Sequence, residues 1–534
     1  MLAVAAVTAQ TTNPPVAPIP ANLGPALRIP SIIGDHMVLQ QKLPDPIWGW
    51  DKPGIKVTVE FAGQSKSAVA GPDGKWMVKL DPMPAITTPG TMTITGSSKR
   101  EIRDVLVGEV WLCSGQSNMQ FKLIDPQLAG DSSGDLEAAQ ADLPLLRLVT
   151  VPNVASQEPK DDFKGQWEVS SPETAAKFSA VGFFFGRTLQ RILHVPVGLI
   201  NDAWGGSAAE AWIRRGALEQ DPRFGNLMVE TVRKEAYNAT PRAQQKYQED
   251  LIKWKVASEQ AKAQFKNPPS KPQSPEGWMA GNKRPGNIFG GVLNPTIGYG
   301  IKGVIWYQGE SNAGRAFEYG SLFPFLIEQW RKEWAQGDFS FYWVQLANHM
   351  PRKSEPGESA WAELREAQTK TMRLANTGQA VIIDLGEGKD VHPRNKHDVA
   401  ARLVRWALAR DYGVKLPFRS PEFQKMDVSG DKVTVTFDCH GSRLRTFGVQ
   451  EVKGFALCGE DHAWHWADGE ISGTNSVTLS SKEVPLPVAV RYAWADNPDC
   501  NLYSEEDLPA TPFRTDNFPM ITAPKPPAPN AAKP

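Results

Sequence analysis

Cysteine is scarce in this chain, at four residues in 534. So low a count excludes a disulfide scaffold. Cys113 sits in an apolar run and reads as a packed thiol. Cys439, Cys458 and Cys500 fall in the last quarter, where a single bridge among the three has no unique pairing. Net charge is also scarce: 58 Lys and Arg against 59 Asp and Glu leave −1. Without a basic stripe the chain lacks the electrostatic footprint of a nucleic-acid binder. Beyond the first ten residues no apolar run nears the ~20 residues of a membrane helix. The eight histidines form no His-Glu-x-x-His pattern and no Cys/His cluster. His397 stands five residues from His392, off the spacing of a shared helical face, and His462 and His465 lie in a β-rich region. These absences predict no cofactor, no metal, and neither nucleic acid nor membrane as partner. They carry no information on oligomeric state.

What is present is ordinary globular composition, 41% hydrophobic and 22% charged, with a surplus of tryptophan: 18 against 9 tyrosines. Exposed indole faces suit sugar rings. The length predicts more than one domain. Residues 1–26 open with an apolar Met1–Gln10 that ends in small residues (Ala6-Val7-Thr8-Ala9), then turn Pro-rich. They read as the remnant of an export signal plus a linker, so the expected location is secreted or periplasmic. Residues 27–103 show short alternating runs such as Val57-Thr58-Val59-Glu60-Phe61, the spacing of a small β-sandwich. Residues 104–415 alternate strand and helix patterns, which argues for an α/β layer fold. This region is interrupted at about 216–284 by a Lys/Glu/Gln/Ala-rich helical insertion. Residues 416–520 return to strands, as in Lys432-Val433-Thr434-Val435-Thr436-Phe437, and 521–534 form a Pro/Ala tail expected to be disordered.

The chemistry concentrates in one stretch, Gly108-Glu109-Val110-Trp111-Leu112-Cys113-Ser114-Gly115-Gln116-Ser117-Asn118-Met119. A buried strand runs to a tight turn, and Ser117 falls where a helix begins. There its backbone N–H is one of the unpaired donors of a helix start, able to stabilise an oxyanion. Taken alone, such a serine is more simply a helix cap. Gly303-Val304-Ile305-Trp306-Tyr307-Gln308-Gly309-Glu310-Ser311-Asn312 repeats the pattern of strand and polar turn. Asp390-Val391-His392-Pro393 suits a base delivered from a loop, with Pro393 placed to start a helix. Asn201-Asp202-Ala203-Trp204-Gly205-Gly206-Ser207 follows another strand, and its paired glycines allow close backbone approach to a ligand. Further buried strands are expected at Phe341–Leu346 and Ala380–Asp384.

The blocks at Gly115–Met119, Trp306–Asn312 and Asp390–Pro393 resemble the sialate O-acetylesterase-like carbohydrate esterases of the SGNH (GDSL-type) hydrolases. Asp35-His36-Met37-Val38-Leu39-Gln40 and Pro512-Phe513-Arg514-Thr515-Asp516 match the same family's terminal signatures. Several blocks in the right order are far more specific than any one. The resemblance implies a three-layer α/β/α domain with a parallel sheet, flanked by N- and C-terminal β-sandwich-like domains. It implies a serine esterase acting on O-acetylated carbohydrate, 9-O-acetyl sialic acid first. The alternatives are an acetyl xylan esterase, or an inactive carbohydrate-binding relative, against which the intact Ser117, His392 and Asp390 count.

In that family Ser117 is the nucleophile and His392 the base. Gly206, with Gly205 as alternate, supplies the second oxyanion donor, and Gln116 belongs to the substrate-facing block. A side-chain amide completes the hole, and both Gln308 and Asn312 are candidates. The usual Asp stands three residues before the His, whereas Asp390 stands two before, with Lys389 in the third position. Asp390 is the first choice for the acid and Glu310 the alternate.

Overall fold

The computed structural model describes residues 27–128 and 133–524. The signal-like stretch and most of the Pro/Ala tail lie outside the described residues. Within them the fold is mixed α/β: one large sheet with parallel and antiparallel pairings, and separate β-sheets toward the C-terminus.

One strand organises the molecule. Lys99–Gly115 is 17 residues long, and its sequence changes character midway. The charged first half, Lys99 to Asp104, is largely exposed, and its residues pair antiparallel with Ile86–Thr95. From Val105 onward every residue is buried. Here the strand pairs in parallel, with Val197–Asn201 on one side and Gly303–Tyr307 on the other. Ser340–Val344 and Thr377–Ala380 extend the sheet beyond Gly303–Tyr307, and Leu143–Thr150 extends the opposite side. The expected boundary at 103/104 therefore falls inside a continuous strand. The strand expected at Ala380–Asp384 sits earlier, at Thr377–Ala380. Val381 and Ile383 instead join the core of the C-terminal β region, so their apolar character marks a contact between regions rather than a ladder.

Runs of buried residues on successive parallel strands mean that both faces are covered. Side chains alternate along a strand, so the buried residues of the central strands divide between two cores. Leu112, Val304, Trp306, Phe341 and Trp343 join one, and Trp111, Cys113, Ile305, Tyr307 and Tyr342 join the other. The first core holds Ala316–Trp334 and Ala360–Thr371, and it runs on into Val57, Val59 and Ile94 of the N-terminal β region. The second holds Ala180–Leu193 and Lys396–Arg410.

The helical insertion takes the form of Arg215–Gln220, Gly225–Asn238, Pro241–Ala263 and Pro275–Met279. The longest of these buries only Ala243 and Ser258, as its charge-rich composition requires. At the C-terminal end Glu422–Ser429, Lys432–Asp438, Ser476–Ser480 and Asp468–Ile471 form an antiparallel sheet. All four cysteines are free thiols, so no bridge forms among Cys439, Cys458 and Cys500.

Candidate active site

The parallel strands end together, and the loops leaving them meet. Gly115 makes the first turn at φ +132°, and a Cβ there would lie 2.2 Å from the Tyr307 carbonyl oxygen, so only glycine fits. The Gln116 N–H donates to that same carbonyl at 2.9 Å, fastening the turn to the neighbouring strand. Gln116 is then the cap of a four-residue helix, Ser117–Gln120, of which Ser117 is the first residue. The N–H of Ser117 makes no hydrogen bond among the described residues. It is the open donor that the helix start was expected to provide.

Ser117 Oγ lies 3.0 Å from His392 Nε2. His392 Nδ1 lies 3.0 Å from Asp390 Oδ1. The same carboxylate oxygen accepts from the His392 backbone N–H at 3.0 Å. The three residues thus form one chain of contacts. Burial lowers the His392 imidazole below its ordinary value. The Asp390 carboxylate works against that shift, and the Lys396 charge works with it. The Phe121 ring meets the imidazole edge-on at 4.8 Å. The loop carrying the pair is braced by Arg394, which grips Glu387 with two nitrogens at 3.0 and 2.8 Å. Pro393 does not start the next helix. That role falls to Asn395, whose side chain accepts from Asp398 N ahead of Lys396–Arg410.

The two-glycine loop reaches the same place. Trp204 N donates to Gly115 O at 2.9 Å. Gly205 N donates to Gln120 Oε1 at 2.7 Å, so that donor is engaged. A Cβ on Gly205 would lie 3.5 Å from Ser117 Cβ. Gly206 adopts φ +70°, and its N–H has no partner among the described residues. Of the two expected donors Gly206 is the available one.

The third block is bonded largely within the protein. Gln308 Nε2 donates to Ser207 O at 3.2 Å and to Asn312 Oδ1 at 2.7 Å, while its Oε1 accepts from Tyr319 OH. Asn312 Nδ2 donates to Glu210 Oε2 at 3.0 Å, and its Oδ1 also accepts from Ala209 N. Both amides, the two candidates for completing the oxyanion hole, are buried and bonded to the protein itself. A buried amide takes the partners that folding brings to it, and spacing along the chain does not reveal them. Gln116 turns its Oε1 to the N–H groups of Ser311 and Gly309, at 3.3 and 3.5 Å. Its Nε2 has no partner among the described residues.

Glu310 does not touch His392. Its Oε1 accepts from Asn118 Nδ2 at 2.6 Å, and its Oε2 is buried without a partner. Burial raises its carboxyl. Two residues of this site were not singled out from sequence. Asn118 is one. Lys396, at 0% exposure, is the other: its Nζ donates to Asn118 Oδ1 at 2.6 Å. Burial pushes this amine down to about 7. Lysine is ordinarily a surface residue, so nothing in its sequence context marked it. Asp202, ahead of the two-glycine loop, is fully buried, and burial raises its carboxyl to about 8.

Beside this cluster runs a groove of about 480 Å³. Ala208 and Ser311 line it from the loops just described, and Asn226, Lys234, Trp278 and Lys283 line it from the insertion. Among the described residues, no group of three or more His, Cys, Asp or Glu side chains is placed to hold a metal ion.

A family model described as carbohydrate esterase, sialic acid-specific acetylesterase, matches residues 287–403, and one for the sialate O-acetylesterase C-terminal domain matches 423–517. Sialate O-acetylesterase of Mus musculus is 31% identical, covering 93% of this chain and 96% of its own length. That of Homo sapiens is 29% identical, covering 92% of each. The crystal structure of a carbohydrate acetylesterase from Xanthomonas citri is 35% identical with a TM-score of 0.76, covering 92% of this chain and all of that one. On sequence, on length and on fold, this chain belongs to the sialate O-acetylesterase family of carbohydrate esterases.

Proposed function

We propose that this chain is a serine esterase that hydrolyses O-acetyl esters on carbohydrates. One observation carries the reading: Ser117 Oγ, His392 and Asp390 stand in a hydrogen-bonded line, 3.0 Å at each step. Ser117 Oγ attacks the acetyl carbonyl while His392 Nε2 takes its proton. The tetrahedral oxyanion is met by the N–H groups of Ser117 and Gly206. His392 returns the proton to the departing sugar oxygen, which leaves as an alcohol, and the acetyl group stays on Ser117. Water then repeats the sequence with His392 as base, releasing acetate and restoring the serine. Asp390 holds the imidazole with Nδ1 protonated and balances the imidazolium as it forms.

The architecture fits an SGNH-type three-layer α/β/α domain. Both sheet faces carry helices, and the site lies at the C-terminal ends of the strands where the strand order reverses. The proposed division keeps an N-terminal β region, an α/β region to about 415 and a C-terminal β region over 416–520, the first two joined through the continuous strand Lys99–Gly115, flanked by a signal remnant with linker and a tail. The proposed location is secreted or periplasmic, and N-terminal sequencing of protein recovered outside the cytoplasm tests it.

For substrate, 9-O-acetylated sialic acid comes first, because the mammalian relatives that cover the chain are sialate O-acetylesterases. A plant polysaccharide such as acetylated xylan is the second reading, since the Xanthomonas relative is described as a carbohydrate acetylesterase without a named sugar. Acetate release from O-acetylated sialic acids, acetylated xylan oligomers and cephalosporin C separates them. Release from none of these, with p-nitrophenyl acetate also untouched, would leave the inactive sugar-binding reading.

A further inference from the structure

We propose that Lys396 is a positioning residue for the esterase reaction, acting through Asn118 to hold the nucleophile turn and the base loop in register. The inference rests on the reading of Ser117 and His392 as nucleophile and base.

Asn118 follows the nucleophile directly, and its side chain is engaged at both ends. Nδ2 donates to Glu310 Oε1 at 2.6 Å and to the carbonyl of Val391 at 3.2 Å. Oδ1 accepts from Lys396 Nζ at 2.6 Å. One carboxamide therefore ties the Ser117 turn to three other places: the loop after Gly303–Tyr307, the backbone beside His392, and the first residue of Lys396–Arg410. An amide has two orientations, and only one puts Nδ2 on the carboxylate and the carbonyl. In its protonated form, favoured below its value of about 7, the Lys396 amine can only donate, so it dictates which end of Asn118 is the oxygen. With the orientation set, the Val391 contact sets how far His392 stands from Ser117. Neither Asn118 nor Lys396 reaches the acetyl carbonyl in this scheme, so neither is a catalytic residue.

The Lys396 amine has no second hydrogen-bonding partner among the described residues. Its amine lies 5.5 Å from the ring centroids of both Phe121 and Tyr307, cation–π distance from each. A fully buried lysine is costly, and a helix start is an unfavourable place for a cation. Nothing about packing alone calls for an amine there, whereas setting Asn118 does. The charge also faces the base. Around His392 stand Asp390 on its own loop, Lys396 at the helix start and His349 from the loop after Ser340–Val344. Around Lys396 stand Glu310, Asp390, Asp125 and Glu387. Asp390 favours the imidazolium, while Lys396 and His349 oppose it.

The test uses the full chain, p-nitrophenyl acetate and the variants Lys396→Met, Asn118→Ala and the double. Each single variant is expected to lose about 10- to 100-fold in kcat, as misplacement of reacting groups does, with KM within about twofold. The double variant should lose no more than the worse single one, because both break the same tie. In Lys396→Met the acid limb of the kcat/KM profile should move to higher pH, since a cation opposing the imidazolium is gone. Loss of an inert structural prop would not move that limb upward. A kcat within about threefold of wild type, multiplicative losses in the double variant, or an unmoved limb would each overturn the proposal. Should Lys396→Met not fold, Asn118→Ser decides by its kcat: a fall at constant KM supports the tie, and an unchanged kcat overturns it. Wild type inactive on every acetyl ester would instead refute the esterase reading itself.

Discussion

A single oxygen of Asp390 holds His392 twice, accepting from the backbone N–H and facing ring Nδ1, both at 3.0 Å. The short spacing is thereby accounted for. A carboxylate two residues before a histidine reaches the ring when the loop curls back so that the backbone N–H is captured as well. Glu310, the rival, is engaged by Asn118 instead. Asp390→Asn should therefore lower kcat by roughly 10³- to 10⁴-fold, the effect of leaving the imidazole in the wrong tautomer. Glu310→Gln should cost far less. Both are measured at one pH on one acetyl ester, and the reverse ranking would move the acid role to Glu310.

Ser117→Ala should remove the nucleophile while leaving the fold intact. The oxyanion donors survive, so a small residual rate over the uncatalysed reaction is expected, with a loss of roughly 10⁶-fold in kcat. Active-site titration with a fluorophosphonate should label wild type and not the variant. Activity within about tenfold of wild type would discard Ser117.

The pH dependence follows from the direction of the His392 shift. Only neutral imidazole accepts the serine proton, so kcat/KM falls as pH drops through the His392 pKa. Burial lowers that value, which places the acid limb below the ordinary ~6.5. Asp390 favours the charged form, so Asp390→Asn should move the limb further down. Lys396→Met should move it up. The two shifts of opposite sign, read from kcat/KM profiles, check the assignment of each neighbour.

Gly205→Ala should injure the site without touching a reacting atom. Its Cβ would stand 2.9 Å from Gln120 Oε1 and 3.5 Å from Ser117 Cβ. The first contact must give way, and it belongs to the side chain that holds the Gly205 N–H. A fall in kcat with little change in melting temperature is expected. Gly206→Ala would meet only Asn282 Nδ2, at an ordinary 3.6 Å, but keeps φ +70°, so it should cost about 1 kcal/mol of stability by strain. Thermal unfolding and kinetics on the same preparations separate the two.

Dialysis against EDTA should leave the esterase rate unchanged, because the proposed chemistry needs only side chains and backbone donors. A loss restored by added zinc would show that a metal takes part.

Local chemistry was legible in the sequence because it depends on neighbours along the chain. The buried strand at Val110–Cys113, the turn at Gly115 and the helix start at Ser117 follow from apolar patterning and from what glycine alone can do. The Asp390–His392 pairing belongs here too, since two residues of one loop suffice to make it. The partners of Gln308, Asn312, Asn118 and Lys396 could not be read in this way. Each is a buried polar group whose bond crosses between elements far apart in sequence: 278 residues separate Lys396 from Asn118. Amide and amine side chains look alike in sequence whether they face substrate or one another. Only the close packing of strand ends removes water from them, and a group removed from water must bond to whatever the fold has placed beside it. The sequence by itself determined which residues can do the chemistry. The tertiary structure decided which are free to do it, and which are held as supports.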